Sequence, residues 1–508
     1  MLMHQLLEHT ARATPDRVAL VTDGQRFTYA EVDARADTLA AALQDAGVDP
    51  GDRVATCLDN GLDAVVALYA AMKCGAVLMA INPLTKRQRL AAVLNDARAS
   101  VLVTHAGLLD EVGAALATNR SIHTCWVAGD APPAGADTRC RPMPSTEPGG
   151  SPAPVPTTDQ DLAALIYTSG STGEPKGVML SHLNMVSAAR SVNAYLQLTA
   201  DDVVFSALPH AYSYGLYQVL STFMVGGTLV LERSFSFPVK VLQQMAREGV
   251  TVFPGVPTVF ARLLALKTLA DHPVPTLRII TSAAAALPDA HIQGLRAAFP
   301  HAKLYAMYGQ TECKRVTYLP PELLDERPGS VGRGMPNQEM WLEDEAGQRL
   351  PFGSTGELVV RGSHVMRGYW EKPEATARAL RPGPYPGEMV LHSGDIFRTD
   401  SDGYFWFVSR KDELIKVRGE KVSPRDIENV LCAMPGVLEA AAIGCVDAVV
   451  GEAVKVFVAM QPGHVLTERQ VIQHCATRLE TVMVPRHVVF VDELPKTDSG
   501  KIRKAGLV

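Results

Sequence analysis

Paired cysteines, long uninterrupted apolar runs and a strong excess of charge of one sign are all missing from this sequence. Its 508 residues include eight scattered cysteines with no C-x-x-C pair, and the formal net charge is -6. For a chain of this size, that cysteine pattern predicts reduced thiols in the cytoplasm rather than a disulfide framework or a zinc site. Acidic and basic residues are interspersed, so no nucleic-acid surface is expected, and a bound polyanion would need a local basic pocket.

A membrane span and a secretory signal are not expected either. The most apolar stretch, 64–81, is interrupted by Lys73 and Gly75, which favours a buried helix followed by a strand. Residues 1–14 carry charged side chains and lack the apolar core of a signal peptide. The length exceeds what one hydrophobic core supports, so at least two domains are predicted.

The first part of the chain alternates strand patterns with helix patterns. A hairpin at Asp23-Gly24 is followed by a capping box, Thr28 with Glu31, that begins a helix. Strands at 54–58 and 76–81 then flank another helix. This alternation predicts a large N-terminal α/β domain, in which helices layer a largely parallel sheet.

The stretch 167–177, called here the phosphate-binding turn, combines hydroxyls, glycines and one lysine directly after an apolar run. Glycines let the backbone approach a ligand, hydroxyls donate hydrogen bonds, and a lysine adds a charge suited to phosphate oxygens. A Ser/Gly-rich surface turn is the alternative, which Lys176 between Pro175 and Gly177 disfavours. The candidate phosphate-binding residues are Thr168, Ser169, Gly170, Ser171, Thr172, Gly173 and Lys176.

The residues around Lys176 exclude the Walker nucleotide loop. That loop needs a glycine directly before its lysine and a Ser or Thr directly after it, leading into a helix. Here a proline precedes the lysine and a glycine follows it, and 178–180 is typical of a return strand. The sequence therefore predicts a strand-turn-strand device.

A second motif reads Tyr308-Gly309-Gln310-Thr311-Glu312. It offers an aromatic face for a base, a hydroxyl for a phosphate, and a carboxylate for Mg²⁺ that bridges phosphate oxygens. Lys314 and Arg315 then place two cations beside this carboxylate. Either they hold an extra anionic group of the substrate, or they point to solvent or pair with Glu322 or Asp325.

The phosphate-binding turn resembles the signature loop of the adenylate-forming superfamily, which includes acyl- and aryl-CoA synthetases, nonribosomal peptide synthetase adenylation domains and firefly luciferases. Further motifs follow in the family's order, so the resemblance covers essentially the whole chain. It implies an N-terminal adenylation domain over 1–409, a hinge at 410–412 and a C-terminal lid domain over 413–508. Beyond the hinge, helix caps at Ser423 and Thr467 alternate with strand patterns, which predicts a smaller, mobile α+β domain.

The resemblance also implies roles for single residues. Thr168 and Glu312 are implied as Mg²⁺ ligands and, with Lys501, as catalytic residues. Asp412 is the implied hinge residue, and Gly419 lies on the face that would admit CoA. The implied nucleotide contacts outside the phosphate-binding turn are Ala284, Tyr308, Gly309, Thr311, Asp395, Arg410 and Lys501.

Lys501 is implied to enter the active site from the lid and to bridge the substrate carboxylate and the α-phosphate of ATP. An unperturbed lysine pKa of about 10.4 makes it a fixed positive charge. At about 4 Å and an effective dielectric of about 20, its interaction with an anion is about 4 kcal/mol. No nucleophilic side chain is required, and the sequence has no evident Ser-His-Asp or Cys-His arrangement.

The acid pocket is indicated by the segment 208–216, which resembles the family's Leu-Pro-x-x-His-x-x-Gly-Leu. Tyr212 stands where that histidine is usual, with His210 two residues earlier, and it is either an aromatic wall of the pocket or ordinary core packing. Residues 203–231 contain no Asp or Glu, so a substrate ammonium has no partner there and an acid with an apolar or aromatic body is favoured. The implied pocket also includes Val256, Ala283 and Gln310.

Taken together, the residues and the resemblance predict a ligase that uses ATP and Mg²⁺ to convert a fatty or aryl acid into an acyl-adenylate and pyrophosphate. CoA is the expected acyl acceptor. An alternative is loading of an acyl carrier protein, or activation of an oxyanion other than a carboxylate. Another is a nucleotide-binding module without chemistry, which Lys501 disfavours.

Overall fold

The computed structural model describes residues 1–129, 131–133, 135–169, 175–417, 420–447, 451–496, 502–504 and 506–507. Six residues with predicted roles lie outside the described residues: Gly170, Ser171, Thr172, Gly173, Gly419 and Lys501. The chain divides into two compact units. Unit 1 comprises Met1–Pro328, Gly334–Glu339 and Val360–Leu391, and unit 2 comprises Gly329–Arg333, Met340–Val359 and His392–Val508. The domain and hinge boundaries proposed from the sequence stay predictions.

The helices and strands are numbered in chain order. The helices are α1 (Gln5–Ala13), α2 (Tyr29–Asp45), α3 (Leu62–Lys73), α4 (Arg87–Ala97), α5 (Leu109–Thr118), α6 (His182–Leu196), α7 (Ser213–Val225), α8 (Pro238–Arg247), α9 (Pro257–Leu264), α10 (Asp289–Ala298), α11 (Pro373–Ala379), α12 (Pro424–Cys432) and α13 (Glu468–Ala476). The strands are β1 (Val18–Thr22), β2 (Gln25–Thr28), β3 (Arg53–Cys57), β4 (Val77–Ala80), β5 (Val101–His105), β6 (Thr124–Ala128), β7 (Cys140–Pro142), β8 (Leu162–Ser169), β9 (Pro175–Ser181), β10 (Val203–Ser206), β11 (Thr228–Leu231), β12 (Val252–Gly255), β13 (Ile279–Ser282), β14 (Lys303–Tyr308), β15 (Thr317–Leu319), β16 (Arg333–Gly334), β17 (Gln338–Glu343), β18 (Thr355–Gly362), β19 (Gly368–Tyr369), β20 (Leu380–Pro382), β21 (Met389–Thr399), β22 (Phe405–Arg410), β23 (Ile415–Val417), β24 (Glu420–Val422), β25 (Val437–Asp447), β26 (Gly451–Met460) and β27 (His487–Val491).

One sheet of unit 1 carries the phosphate-binding turn. Its strand order is β19-β9-β8-β4-β3-β5-β6-β7. The strands from β8 to β7 pair in parallel, whereas β9 and β19 are antiparallel additions at one edge. Because the turn joins the antiparallel pair β8 and β9, the prediction that a strand lies on each side of it is confirmed.

A second sheet includes, within unit 1, the strands β15-β14-β13-β12-β10-β11-β1-β2 in that order. The strands are parallel from β14 to β1, whereas β15 and β2 each pair antiparallel with their neighbour. The predicted capping box is present at the start of α2, where Thr28 and Glu31 each accept the other's backbone amide hydrogen. The predicted α/β architecture with largely parallel sheets is confirmed.

Unit 2 contains the predicted small α+β fold. In its sheet, β26 pairs antiparallel with β25 and parallel with β27. Side chains from α12 and α13, such as Ile427 and Val471, join Val456 of β26 in one buried cluster. This cluster gives the smaller fold a hydrophobic core of its own.

Two further features concern the apolar helices and the cysteines. Across the described ranges, no helix is both long and apolar enough to span a bilayer. The structure describes all eight cysteines, and none of them forms a disulfide bond. Burial raises the pKa of the Cys74 thiol to about 11, so this cysteine is protonated at neutral pH and therefore a poor nucleophile.

Candidate active site

The phosphate-binding turn is anchored by the register of β8 and β9. Thr168 lies opposite Lys176, and Tyr167 lies opposite Gly177. A Cβ atom on Gly177 would lie 3.0 Å from Cζ of Tyr167 and 3.3 Å from Cβ of Trp370, so a larger residue here would force these two side chains to shift. Thr168 and Lys176, two residues with predicted phosphate contacts, are therefore neighbours at the mouth of the turn, and both are half-buried.

Tyr369 connects the two predicted motifs. Its short strand β19 pairs antiparallel with β9. The Tyr369 hydroxyl donates to Oε1 of Glu312 at 2.8 Å, and Nζ of Lys176 lies 5.5 Å from the centroid of the Tyr369 ring, within the range of a cation-π contact. The structure thus brings the lysine of the turn and the carboxylate of the second motif to one aromatic side chain.

The surroundings of Glu312 fit the predicted Mg²⁺ role. Its side chain is half-buried, and the Tyr369 hydroxyl is the one hydrogen-bond donor to its carboxylate among the described residues. Throughout the described residues, no cluster of three or more His, Cys, Asp or Glu side chains is arranged to hold a metal ion. Mg²⁺ is usually held by one or two carboxylates together with substrate phosphates. Glu312 can supply the carboxylate, and a nucleotide in the phosphate-binding turn can supply the phosphate oxygens.

The second motif lies in a tight turn between β14 and β15. The amide of Val316 donates to the carbonyl of Tyr308 at 2.9 Å. A Cβ atom on Gly309 would lie 1.8 Å from the Lys314 carbonyl oxygen, so any side chain at position 309 is excluded. Gly309 is thus required by the backbone path, and Thr311 and Glu312 are displayed on the turn that this path creates.

Lys314 and Arg315 are not solvated. Their exposed fractions are 4% and 6%, and Asp325, one of the suggested partners, pairs instead with Arg296 at 2.6 Å. The expectation that the two cations point to solvent is therefore wrong. Burial lowers the pKa of the Lys314 ammonium to about 7.

Three predicted positions directly follow the carboxyl ends of neighbouring parallel strands. Val256 follows β12 and is the N-cap of α9, Ala283 follows β13, and Gly309 follows β14. In open α/β sheets, ligands bind at the carboxyl ends of the strands. The adjoining Ala284 has φ of 76°. This left-handed conformation favours glycine, so position 284 has an alanine where glycine would be the usual residue.

Tyr212 lies at the N-terminus of α7, where its hydroxyl accepts a hydrogen bond from Nδ2 of Asn82 at 3.0 Å. Its side chain is half-buried. The nearby His210 is buried, and neither of its ring nitrogens has a hydrogen-bond partner among the described residues. Burial lowers the pKa of this imidazole to about 4, so it is neutral at physiological pH. The role of Tyr212 as a pocket wall remains a prediction.

Within unit 2, Asp395, Arg410 and Asp412 form one ionic cluster. Asp395 and Arg410 face each other across β21 and β22. Nε of Arg410 lies 3.0 Å from Oδ1 of Asp395 and 3.6 Å from Oδ1 of Asp412. The Asp395 side chain is buried, and a buried carboxylate needs such a cationic partner. Asp395 and Arg410, two of the predicted nucleotide contacts, and the predicted hinge residue Asp412 are therefore direct neighbours.

Tyr369 is the site residue that the sequence analysis missed. It stands beside Trp370 in a chain with only 6% aromatic residues, and that pair of adjacent aromatics is the signal that could have drawn attention to it. Nothing local in the sequence connects it with Glu312 or Lys176, since the contacts come from the pairing of β19 with β9.

Comparison with known proteins gives matches over both parts of the chain. The family model described as AMP-binding enzyme matches residues 7–370, and the model described as AMP-binding enzyme C-terminal domain matches residues 426–501. A feruloyl-CoA synthase from Amycolatopsis sp. is 35% identical over 508 residues, covering 97% of this chain and 96% of the relative. The 4-coumarate--CoA ligase 5 of Oryza sativa subsp. japonica is 32% identical over 510 residues, covering 97% of this chain and 91% of the relative. The crystal structure of ATP-bound MatB from Rhodopseudomonas palustris aligns with a TM-score of 0.89 and 32% identity, over 100% of this chain and 98% of that one.

Proposed function

Because the chain belongs to the AMP-binding enzyme family, it is an ATP-dependent, AMP-forming acid-CoA ligase, and we propose that its acid substrate is a fatty or aryl acid. The site assignment rests on one observation, which is that Tyr369 contacts both Lys176 and Glu312. A cation for phosphate oxygens and a carboxylate for a metal ion are what the transfer of an adenylyl group requires.

The proposed first half-reaction joins two anions, the substrate carboxylate and the α-phosphate of ATP. The phosphate-binding turn and Lys176 hold the β- and γ-phosphates. The Asp395 carboxylate accepts hydrogen bonds from the ribose hydroxyls, and the Arg410 guanidinium donates to a ribose oxygen. Mg²⁺, held by Glu312 and Thr168, would neutralise phosphate charge when bound. Lys501 bridges the carboxylate and the α-phosphate, and the products are an acyl-adenylate and pyrophosphate.

The proposed second half-reaction requires a movement of the C-terminal domain about Asp412. That movement withdraws Lys501 and presents the face around Gly419, so that the thiol of CoA reaches the acyl carbonyl. Attack by the thiol forms the thioester and releases AMP. We place the reaction in the cytoplasm, in keeping with eight cysteines of which none forms a disulfide bond.

A screen of carboxylic acids tests this function. Fatty acids of graded length and aryl acids are incubated with the enzyme, ATP, Mg²⁺ and CoA, while pyrophosphate and acyl-CoA are measured. We expect both products in equal amounts for at least one acid in the screen. Pyrophosphate formation without acyl-CoA, together with acyl transfer to a carrier protein, would contradict CoA as the acceptor.

Tyr369→Phe is expected to weaken the response to Mg²⁺. The variant keeps the aromatic ring beneath Lys176 but removes the hydrogen bond that orients Glu312. Partners that orient a metal ligand typically contribute about 10-fold to 100-fold in metal affinity or activity, so we expect the half-saturating Mg²⁺ concentration to rise about 10-fold.

Tyr385→Phe is the matched control, because Tyr385 is exposed and its ring lies against Arg361, with 4.8 Å between the Arg361 Cζ and the ring centroid. It should leave the Mg²⁺ titration of pyrophosphate release unchanged. A Tyr369→Phe enzyme with a wild-type Mg²⁺ titration would argue against Glu312 as a metal ligand that Tyr369 orients.

A further inference from the structure

Two buried basic side chains in the turn after β14, Lys314 and Arg315, form no salt bridge with a described carboxylate. Nζ of Lys314 has no hydrogen-bond partner among the described residues, and no ion pair of Lys314 or Arg315 with a carboxylate is found in that part of the chain. Buried charges in proteins are usually paired with an opposite charge. Lys73, the other buried lysine among the described residues, follows this rule, since its Nζ lies 2.6 Å from Asp37 and 2.8 Å from Asp33.

Aromatic rings surround the two cations in place of carboxylates. Nζ of Lys314 lies 5.2 Å from the centroid of the Tyr217 ring, and Cζ of Arg315 lies 4.4 Å from that of Tyr214. Nη1 of Arg315 also lies 3.4 Å from the Tyr195 hydroxyl. Ring faces orient a cation without neutralising it, so the Arg315 guanidinium remains available to an anion. An anion bound here would also favour the charged form of Lys314.

The backbone holds this arrangement under strain. Lys314 has φ of 63°, a left-handed conformation that is uncommon for a residue with a side chain. Its carbonyl occupies the space beside Gly309 that a Cβ atom would need. Strained backbone of this kind persists where the surrounding structure enforces it, and it is concentrated at ligand-binding sites.

The cations adjoin the predicted acid pocket. Tyr214, beneath Arg315, donates its hydroxyl hydrogen to the carbonyl of Thr281 at 2.9 Å, two residues before Ala283. Tyr214 and Tyr217 belong to the stretch 203–231, which contains no Asp or Glu. Because that stretch supplies two rings beside the basic groups and no carboxylate, this side of the pocket is complementary to an anion.

We propose that the acid substrate carries a second carboxylate, distal to the one that is activated, and that Lys314 and Arg315 bind it. This inference rests on the proposed function, since it adds a feature to the same acid. Glu312 and Arg315 are three residues apart, so their Cα atoms are separated by no more than about 11 Å. A short or compact dicarboxylic acid fits that span.

The test compares each dicarboxylic acid of a graded series with its half-amide, which keeps one carboxylate and the same length. With wild-type enzyme, ATP, Mg²⁺ and CoA, we expect kcat/KM for acyl-CoA formation to favour the best diacid over its half-amide by about 10-fold to 100-fold, the range for hydrogen bonds to charged groups. In Lys314→Met this ratio should fall towards one. Lys303→Met, at an exposed position of the adjoining strand, should retain the wild-type ratio.

The outcomes separate this inference from the proposed function. If the wild-type enzyme has the same kcat/KM for a half-amide as for its diacid, the proposed site for a second carboxylate is overturned. This comparison needs no variant, so it holds even if Lys314→Met fails to fold. A preference for the diacid that survives in folded Lys314→Met also overturns it. In both cases acyl-CoA formation would leave the ligase function intact, whereas no pyrophosphate from any diacid, half-amide, fatty or aryl acid would contradict both.

Discussion

Lys501→Ala is expected to lower acid-dependent pyrophosphate release by about 1,000-fold. The reason is electrostatic, because an interaction of about 4 kcal/mol with the joining anions corresponds to about three powers of ten in rate. The same variant should convert a supplied acyl-adenylate and CoA to acyl-CoA at a rate close to that of the wild type. The lysine acts only in the first half-reaction, since the C-terminal domain must withdraw it before the thiol arrives.

Lys496→Ala serves as the matched control for that result. Lys496 lies in the same polar segment, but its Nζ pairs with Oε1 of Glu439 at 3.0 Å, so its charge is already engaged within unit 2. Both half-reactions should be nearly unchanged in this variant. An equal loss of both half-reactions in Lys501→Ala would contradict the proposal that the domain alternates between two positions.

Glu312→Gln is expected to lower kcat/KM for pyrophosphate release by about 100-fold or more. Glutamine retains an oxygen that can accept from the Tyr369 hydroxyl, so the substitution removes the negative charge and preserves the local geometry. A metal ion that stabilises developing charge contributes several kcal/mol to the transition state. The effect should exceed that of Tyr369→Phe, because Glu312 is proposed to contact the metal and Tyr369 only orients it.

The measurement for Glu312→Gln is a titration of Mg²⁺ at saturating ATP and acid. The half-saturating Mg²⁺ concentration should rise, and added Mg²⁺ should restore part of the activity. Glu322→Gln is the control, because it removes one negative charge at an exposed glutamate in the following segment. If Glu312→Gln matched this control, another residue would have to hold the metal.

Local patterns in the sequence were sufficient for much of the fold. The capping boxes at Thr28 and Thr467 and the strands on either side of the phosphate-binding turn were predicted from neighbouring residues, and the structure has them. Such features depend on contacts within a few residues along the chain, so periodicity and capping chemistry reveal them. The Tyr308–Glu312 motif was also evident, because its residue types already suggest phosphate and metal chemistry.

Contacts between distant segments could not be derived in this way. Tyr369 reaches Glu312 only because β19 pairs with β9. The burial of Lys314 and Arg315 follows from rings on α6 and α7 that pack against the turn after β14. A charged pair in a polar-looking segment normally indicates a solvated surface, and only the tertiary packing reverses that expectation.

The most direct test of the central claim follows the oxygen atoms of the acid. The enzyme is supplied with an acid whose carboxylate is labelled with heavy oxygen, together with unlabelled ATP, Mg²⁺ and CoA, and the products are analysed by mass spectrometry. If the carboxylate attacks the α-phosphate and the thiol then displaces AMP, one labelled oxygen must appear in AMP and none in pyrophosphate. Label in pyrophosphate or in free phosphate, or AMP without label, would contradict activation of the acid as an acyl-adenylate.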